Sequence, residues 1–358
     1  MDIDAVDHLE LYVEDADRVA SQLSDAWGFR IQGHGGPETG LAGCRSLLLR
    51  QRGITLLVTS ALGDQHPAAE YVRRHGDGVA VIAMTVSDAH RAFAAAVDRG
   101  AVPVAPPAML EQGGARVTFA AVDGFGDVTH RFVTRDAVGG PFSPGVIEEA
   151  APGPAGDSLL DEVDHIAVCV PAGELDRTVQ RYREVFGFDQ TFEERILVGA
   201  QAMDSKVVQS RSGKVTLTIL EPDTSRAPGQ IDEFIGAHGG AGVQHVAFRA
   251  GDICAAVRAI AGRGVRFLST PGSYYDALPE RLGPVDVPMG LLRELNILAD
   301  RDRWGMMLQI FAESRHPRRT FFYEVIERRG ARSFGSNNIK ALYEAVDRQA
   351  AARPTLRG

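Results

Sequence analysis

Residues 163–166 read Val163-Asp164-His165-Ile166, and residues 6–9 read Val6-Asp7-His8-Leu9. This near-duplicate decides the fold reading, because the residues after each copy are duplicated as well. Each opens an alternating run that predicts a strand, then an amphipathic helix, around Ala16–Trp27 and around Glu174–Phe186. Each helix closes on Gly-Phe, at Gly28-Phe29 and Gly187-Phe188. Further on, Gly76-Asp77-Gly78-Val79 recurs as Gly240-Ala241-Gly242-Val243. Each of these leads into a strand, a turn and a second helix (Ala89–Arg99; Asp252–Arg263) that stops at a glycine before another strand. The chain is therefore a repeat inside a repeat, each unit reading roughly β-α-β-β-β. Short grouped strands with occasional helices predict the α+β class rather than a doubly wound sheet.

Between the halves, residues 136–158 read DAVGGPFSPGVIEEAAPGPAGDS, rich in Pro and Gly and without periodicity. Such composition predicts a linker. The expected organisation is an N-terminal domain over 1–135, a linker over 136–158 and a C-terminal domain over 159–358. The last domain ends in a segment, 338–351, whose apolar residues Ile339, Leu342, Tyr343 and Val346 fall at helical spacing.

A length of 358 residues suits about two domains. The formal net charge of −9 excludes a general nucleic-acid binder, which needs a basic footprint, and disfavours an anionic membrane surface. No run of about 18 apolar residues is present, so nothing is expected to span a bilayer. The acidic start, Met1-Asp2-Ile3-Asp4, lacks an apolar signal core and points to the cytoplasm. Cys44, Cys169 and Cys254 form no CxxC pair, which excludes zinc ribbons, disulfide scaffolds and thioredoxin-type motifs. A metal, if bound, must be held by His and carboxylates. No GxGxxG joins a strand to a helix; Gly33, Gly35 and Gly36 are expected in a loop.

The run Thr320 to Glu327 reads as a strand on which Phe322, Glu324 and Ile326 share one face. A carboxylate between Phe and Ile needs an arginine, a proton or a metal if that face is buried, and otherwise marks an exposed edge. His165 shares a strand face with Val163, Ala167 and Cys169, and His245 with Val243 and Ala247. Either histidine alone is an ordinary hydrogen-bonded core residue. The repeat alters that reading: His165 opens the first unit of the C-terminal half, His245 the second, and Glu324 lies on a late strand of that second unit. Units curled around a common cavity would bring all three together as the 2-His-1-carboxylate set of non-haem Fe(II) oxygenases. Mn, Co, Ni and Zn also accept such a set. The N-terminal half keeps His8 but has Val81 where His245 would fall, and no carboxylate in its last apolar run, so it cannot form the same site. His66 and His75, beside Arg73 and Arg74 at helix ends, are expected to be solvated. Gln244 and Gln309 read as substrate hydrogen-bonders or ordinary strand polarity.

The stretches Gly239-Gly240-Ala241-Gly242-Val243-Gln244-His245, Thr270-Pro271-Gly272-Ser273-Tyr274-Tyr275-Asp276, Leu308-Gln309-Ile310-Phe311 and Phe322-Tyr323-Glu324-Val325-Ile326-Glu327-Arg328 resemble the 4-hydroxyphenylpyruvate dioxygenase family. The resemblance covers nearly the whole chain and is strongest from about 160 to 346. It implies two vicinal-oxygen-chelate domains of paired βαβββ units forming open barrels. It also implies Fe(II) held by His165, His245 and Glu324. By the same resemblance Ser205, Thr218, Gln230, Gln244 and Gln309 line a pocket for 4-hydroxyphenylpyruvate, with O2 as co-substrate, and the C-terminal helix acts as a lid.

The family makes two products from one substrate, homogentisate by ring attack or 4-hydroxymandelate by benzylic hydroxylation. Family dioxygenases usually carry Pro-x-Asn-Glu-Pro where this chain has Thr218-Ile219-Leu220-Glu221-Pro222. They usually carry Phe where it has Ile339. Leu220, Phe334, Ile339 and Tyr343 resemble the hydroxymandelate-forming branch, which implies release of 4-hydroxymandelate and CO2 and a place in specialised metabolism such as antibiotic biosynthesis. The homogentisate-forming reaction is the alternative. An extradiol ring-cleaving dioxygenase would want an acid–base histidine near the metal, and a binding module of this fold would have a broken metal set. A homodimer is one assembly open to the chain.

Overall fold

The computed structural model describes residues 1–137, 139–150, 158–335 and 338–340. The first half runs β1 (Ile3–Tyr12), α1 (Ala16–Trp27), β2 (Arg30–Gly35), β3 (Cys44–Gln51), β4 (Ile54–Ala61), α2 (Pro67–His75), β5 (Gly78–Val86), α3 (Ala89–Asp98), β6 (Pro103–Gln112), β7 (Ala115–Asp123), β8 (Thr129–Arg135) and a short β9 (Glu148–Glu149). The second runs β10 (Glu162–Cys169), α4 (Leu175–Arg181), β11 (Asp189–Val198), β12 (Gln201–Gln209), β13 (Thr216–Pro222), α5 (Gln230–His238), β14 (Gly242–Arg249), α6 (Ile253–Gly262), α7 (Gly272–Leu282), α8 (Met289–Glu294), β15 (Leu298–Arg301), β16 (Met306–Phe311) and β17 (Phe322–Arg329).

Both sheets have the same wiring. The first is ordered β6-β7-β8-β5-β1-β4-β3-β2-β9 and the second β11-β12-β13-β10-β14-β17-β16-β15. In each, two βαβββ units meet at their first strands, β1 against β5 and β10 against β14, both antiparallel. Each first strand also pairs in parallel with the last strand of its own unit. The fold is thus two glyoxalase-type domains, each a curled half-barrel sheet. Among the described residues, no helix is long and apolar enough to cross a membrane.

The duplicated Gly-Phe pairs have a local cause. Asp15 caps α1 by accepting from the Arg18 N–H at 3.0 Å, and Gly28 ends it in the left-handed region at φ 78. Gly187 does the same at φ 72, after a single π turn (Tyr182–Phe186) that follows α4. Glycine takes this conformation without the Cβ penalty. The following Phe29 and Phe188 turn inward and are buried. The helices cover the sheets through one shared apolar core in which Trp27 packs edge-on against Phe248, Phe267 and Tyr323 of the other half.

Two local expectations need correction. Gly33 and Gly35 lie in β2 rather than in a loop, because the segment at 146–149 runs close against that strand. A Cβ on Gly35 would sit 2.6 Å from Ile147 and one on Gly33 3.0 Å from the Glu148 carbonyl. That segment comes from the stretch read as a linker. Its Phe142 and Ile147 are buried against Leu48 and Leu57, so the described part of 136–158 packs on the first sheet. His75 is not solvated either. It is 2% exposed, takes the Asp127 carboxylate and the His238 carbonyl at 2.7 Å each, and stacks on the His238 ring across the two halves. His66 instead caps α2, accepting from the Ala68 N–H.

Candidate metal centre

Three strands of the second sheet each bring one side chain to a common point. His165 comes from β10, His245 from β14 and Glu324 from β17. The pairings that align them are His165 opposite Ala247, Ala167 opposite His245, and Ala247 opposite Glu324. Period-two alternation puts all three on the concave face. Their ligating atoms lie within 4.8 Å of one another. Each histidine Nε2 is 3.4 Å from the same oxygen, Glu324 Oε2. All three side chains are buried.

The far side of each candidate ligand is held. His165 Nδ1 lies 2.9 Å from Asp164 Oδ1, and Arg328 grips that carboxylate with two bonds at 2.7 and 2.8 Å. His245 Nδ1 lies 3.1 Å from Gln244 Oε1. Acceptors at both Nδ1 atoms hold a ring proton there and turn Nε2 inward, the atom that metal-binding histidines offer. Gln309 Nε2 donates to Glu324 Oε1 at 2.8 Å. Phe322 stacks on the His245 ring, Phe311 meets it edge-on, and Phe334 meets His165 edge-on.

The electrostatics fit a cation. Burial alone would drive protons off His165, but the carboxylates of Glu324 and Asp164 outweigh it and push the imidazole up to about 9, so Nε2 holds a proton that a bound metal would displace. Burial likewise opposes charge on Glu324, yet the two imidazoles hold its carboxyl down at about 2. Glu324 Oε2 nevertheless has no hydrogen-bond partner. A buried carboxylate oxygen without a donor, faced by two imidazole nitrogens, is a costly arrangement that a divalent metal resolves. Two nitrogens and one oxygen suit iron and leave positions open for further ligands. The residues present therefore fit the ion that the 2-His-1-carboxylate pattern implies.

A model described as the N-terminal domain of hydroxyphenylpyruvate dioxygenase matches residues 42–139, and the glyoxalase/bleomycin resistance protein/dioxygenase superfamily model matches residues 162–281. A 4-hydroxyphenylpyruvate dioxygenase of Yarrowia lipolytica is 32% identical, the match covering 98% of this chain and 93% of that protein. The chain belongs to the 4-hydroxyphenylpyruvate dioxygenase family. The Xenopus tropicalis dioxygenase is 33% identical over 98% of this chain and 92% of its own length. Among solved structures, a triple mutant of 4-hydroxymandelate synthase from Streptomyces coelicolor superposes with a TM-score of 0.89. It is 43% identical, and the match covers 98% of this chain and 100% of that one. Dioxygenases of this family are non-haem iron enzymes, which agrees with the two-histidine, one-carboxylate donor set.

The remaining expected pocket residues distribute unevenly. Ser205 on β12 and Thr218 and Leu220 on β13 are buried. Leu220 packs in the cluster that contains Ala167, Cys169, Phe311, Phe322 and Ile339. Gln230 is the first residue of α5. Gln244 and Gln309 bond His245 and Glu324, so both amides are already engaged. Tyr343 and the body of the C-terminal helix expected as a lid lie outside the described residues. Sequence reasoning passed over Asp164, Arg328, Asn338 and Tyr274. Only Asp164 had a local signal, the Asp-His pair that both halves repeat.

Proposed function

We propose that this chain binds Fe(II) through His165, His245 and Glu324 and converts 4-hydroxyphenylpyruvate and O2 into 4-hydroxymandelate and CO2. In this reading the domain over 159–358 is catalytic and the domain over 1–135 supports it. The observation that carries the choice of product is the 43% identity over the whole chain to a hydroxymandelate synthase, against 32–33% to the Yarrowia and Xenopus dioxygenases.

Bound Fe(II), held by His165, His245 and Glu324, would supply the Lewis acidity that binds the 2-oxo acid and the electrons that activate O2. One oxygen atom of O2 ends in the carboxylate left after CO2 departs, and the other becomes the new hydroxyl. The chain's own residues decide where that hydroxyl goes. Ile339 and Phe322 both pack against the buried cluster that contains Leu220 and Phe311, and with Phe334 these side chains are assigned to the wall against which the aromatic ring rests. An aliphatic Ile339 gives up flat ring-stacking area and lets the substrate ring turn, which brings the benzylic carbon forward. A displacement of about 1 Å is enough to redirect such chemistry. Ser205, Thr218 and Gln230 are assigned to the polar side of the pocket.

The test is product identity. The protein is loaded with Fe(II) under anaerobic conditions, given 4-hydroxyphenylpyruvate and then O2. The two candidate products are isomers of equal mass, so they must be separated chromatographically and distinguished by proton NMR. A single benzylic CH–OH proton supports this reading. Homogentisate would keep the metal site and overturn the product, and an absence of O2 uptake would overturn the substrate.

A further inference from the structure

A line of hydrogen bonds leads from the metal centre to the segment that carries Ile339. Gln309 Nε2 donates to Glu324 at 2.8 Å. Asn338 Nδ2 donates to Gln309 Oε1 at 2.9 Å, and Tyr274 Oη donates to Asn338 Oδ1 at 2.7 Å. Tyr274 is anchored in turn by the Ala299 N–H at 2.9 Å and by Arg281 at 3.1 Å. Asn338 is 0% exposed and Gln309 2%.

The direction of this line is forced. An ionised carboxylate only accepts, so the amide nitrogen of Gln309 faces Glu324 and its oxygen faces away. That oxygen needs a donor, so Asn338 turns its nitrogen toward Gln309 and its oxygen toward Tyr274. Tyr274 accepts two bonds and has one proton to give, for which the Asn338 oxygen at 2.7 Å competes with the Ala299 carbonyl at 3.0 Å. Every amide orientation follows from the next. Gly335 adds a steric constraint. At φ 68, a Cβ there would sit 2.4 Å from Gln309 Oε1 and 3.3 Å from Asn338 Nδ2. Its carbonyl accepts the N–H groups of Asn338 and Ile339 at 2.8 and 2.9 Å.

We propose that Asn338 is a positioning residue that couples its own seating and that of its neighbour Ile339 to the orientation of Glu324, through Gln309. Without the Asn338 donor, the buried Gln309 oxygen loses its partner, and the side chain can leave the carboxylate to find another. The metal ligand is then held correctly only part of the time. Conversely, a metal that fixes Glu324 fixes Gln309 and so holds Asn338 and its neighbour Ile339 in place. Such coupling is reciprocal by thermodynamic linkage. The proposal rests on the reading of His165, His245 and Glu324 as metal ligands.

The experiment uses Co(II) as the probe on the full-length metal-free protein. Visible absorption reports ligand geometry and chelator competition reports affinity. The wild type is compared with Asn338→Ala, Asn338→Asp and Tyr274→Phe, each checked for folding by circular dichroism. Removal of residues that orient metal ligands usually costs about 10- to 100-fold in affinity. Asn338→Ala and Asn338→Asp should weaken Co(II) by roughly 10-fold and alter its spectrum. Tyr274→Phe should act in the same direction but less. Asn338→Asp is the sharper variant, since it keeps the acceptor for Tyr274 while it replaces the donor to Gln309 with a carboxylate oxygen that the amide oxygen repels. Hydrogen exchange gives the reverse reading: Co(II) should slow exchange at the amides of Asn338 and Ile339 in the wild type. Wild-type Co(II) affinity and spectrum in both Asn338 variants would overturn the coupling while leaving the metal site intact. Failure of the wild type to bind Co(II) would overturn the metal reading itself.

Discussion

Arg131 stands in the N-terminal half where Glu324 stands in the C-terminal half. Arg131 pairs with Ala83 across β8 and β5, as Glu324 pairs with Ala247 across β17 and β14. The surroundings are duplicated as well. His8 sits on Asp7, Arg135 grips Asp7 with two bonds, and Phe142 meets His8 edge-on. His165, Asp164, Arg328 and Phe334 repeat that set. Only the centre differs. The Arg131 guanidinium lies 2.9 Å from Glu10 and 3.3 Å from His8 Nε2. Glu10 falls two residues after His8, where the other half has Ala167 two residues after His165. One half faces its central carboxylate with an arginine, and the other faces its carboxylate with two histidines.

Arg131→Met should therefore destabilise the protein by about 3–5 kcal/mol, because it strands the buried Glu10 carboxylate. Urea unfolding measures this. Adding Glu10→Gln to the same chain should restore part of the loss, and neither change should alter the amount of metal bound. A loss of bound metal in the single variant would show that the first half takes part in the metal site.

Asp164→Asn should weaken metal binding by roughly 10- to 100-fold, since it removes the charge that holds the His165 ring and leaves Arg328 without its partner. Asp7→Asn, at the matching place in the other half, should leave metal affinity unchanged. Chelator competition on the two proteins compares them directly.

Ile339→Phe should move product from 4-hydroxymandelate toward homogentisate by restoring an aromatic wall beside Leu220 and Phe322. The ratio of the two products from one substrate load is the readout. An unchanged ratio would show that Ile339 does not set the product.

Stability should fall as pH drops from about 6.5 to about 4. Burial holds His130 neutral and down at about 3, with Arg181 adding to the effect. His238 is held down at about 4 by burial, then by His75, His316 and Arg318. Both bind a proton more readily in the unfolded chain, so acid favours unfolding, by about 1.4 kcal/mol per pH unit for each group while only the unfolded form is protonated. Above the ordinary histidine value the penalty vanishes. Both groups also join the halves, His130 through the Tyr182 hydroxyl at 2.7 Å and His238 through its carbonyl to His75. Urea midpoints at pH 7 and pH 5 test this, and His130→Gln should flatten the difference if it folds.

Much of the fold and the three converging residues were legible in the chain. The Val-Asp-His repeat, the Gly-Phe helix stops and the Gly-x-Gly-Val pairs reveal duplicated βαβββ units because capping, turn and alternation rules act within a few residues. The run 136–158 reads as a linker, and its Pro and Gly content does not reveal that Phe142 and Ile147 find an apolar surface on the first sheet. His75 reads as solvated for a like reason: its arginine neighbours are exposed, but its own ring meets residues 52 and 163 positions away.

By itself, then, the sequence determined the repeat, the class of the sheets and which half retained two histidines and a carboxylate. Period-two alternation also assigned those side chains to strand faces. Tertiary structure decided that His165, His245 and Glu324 point at one place. It also decided that Arg328 holds Asp164 from 164 residues away and that Asn338 reaches Gln309 from 29 residues away. The physical reason is that a hydrogen bond or a metal site depends on distances of a few ångström between atoms, while local patterns specify only direction and periodicity. The curl of the sheet converts three directions into one point.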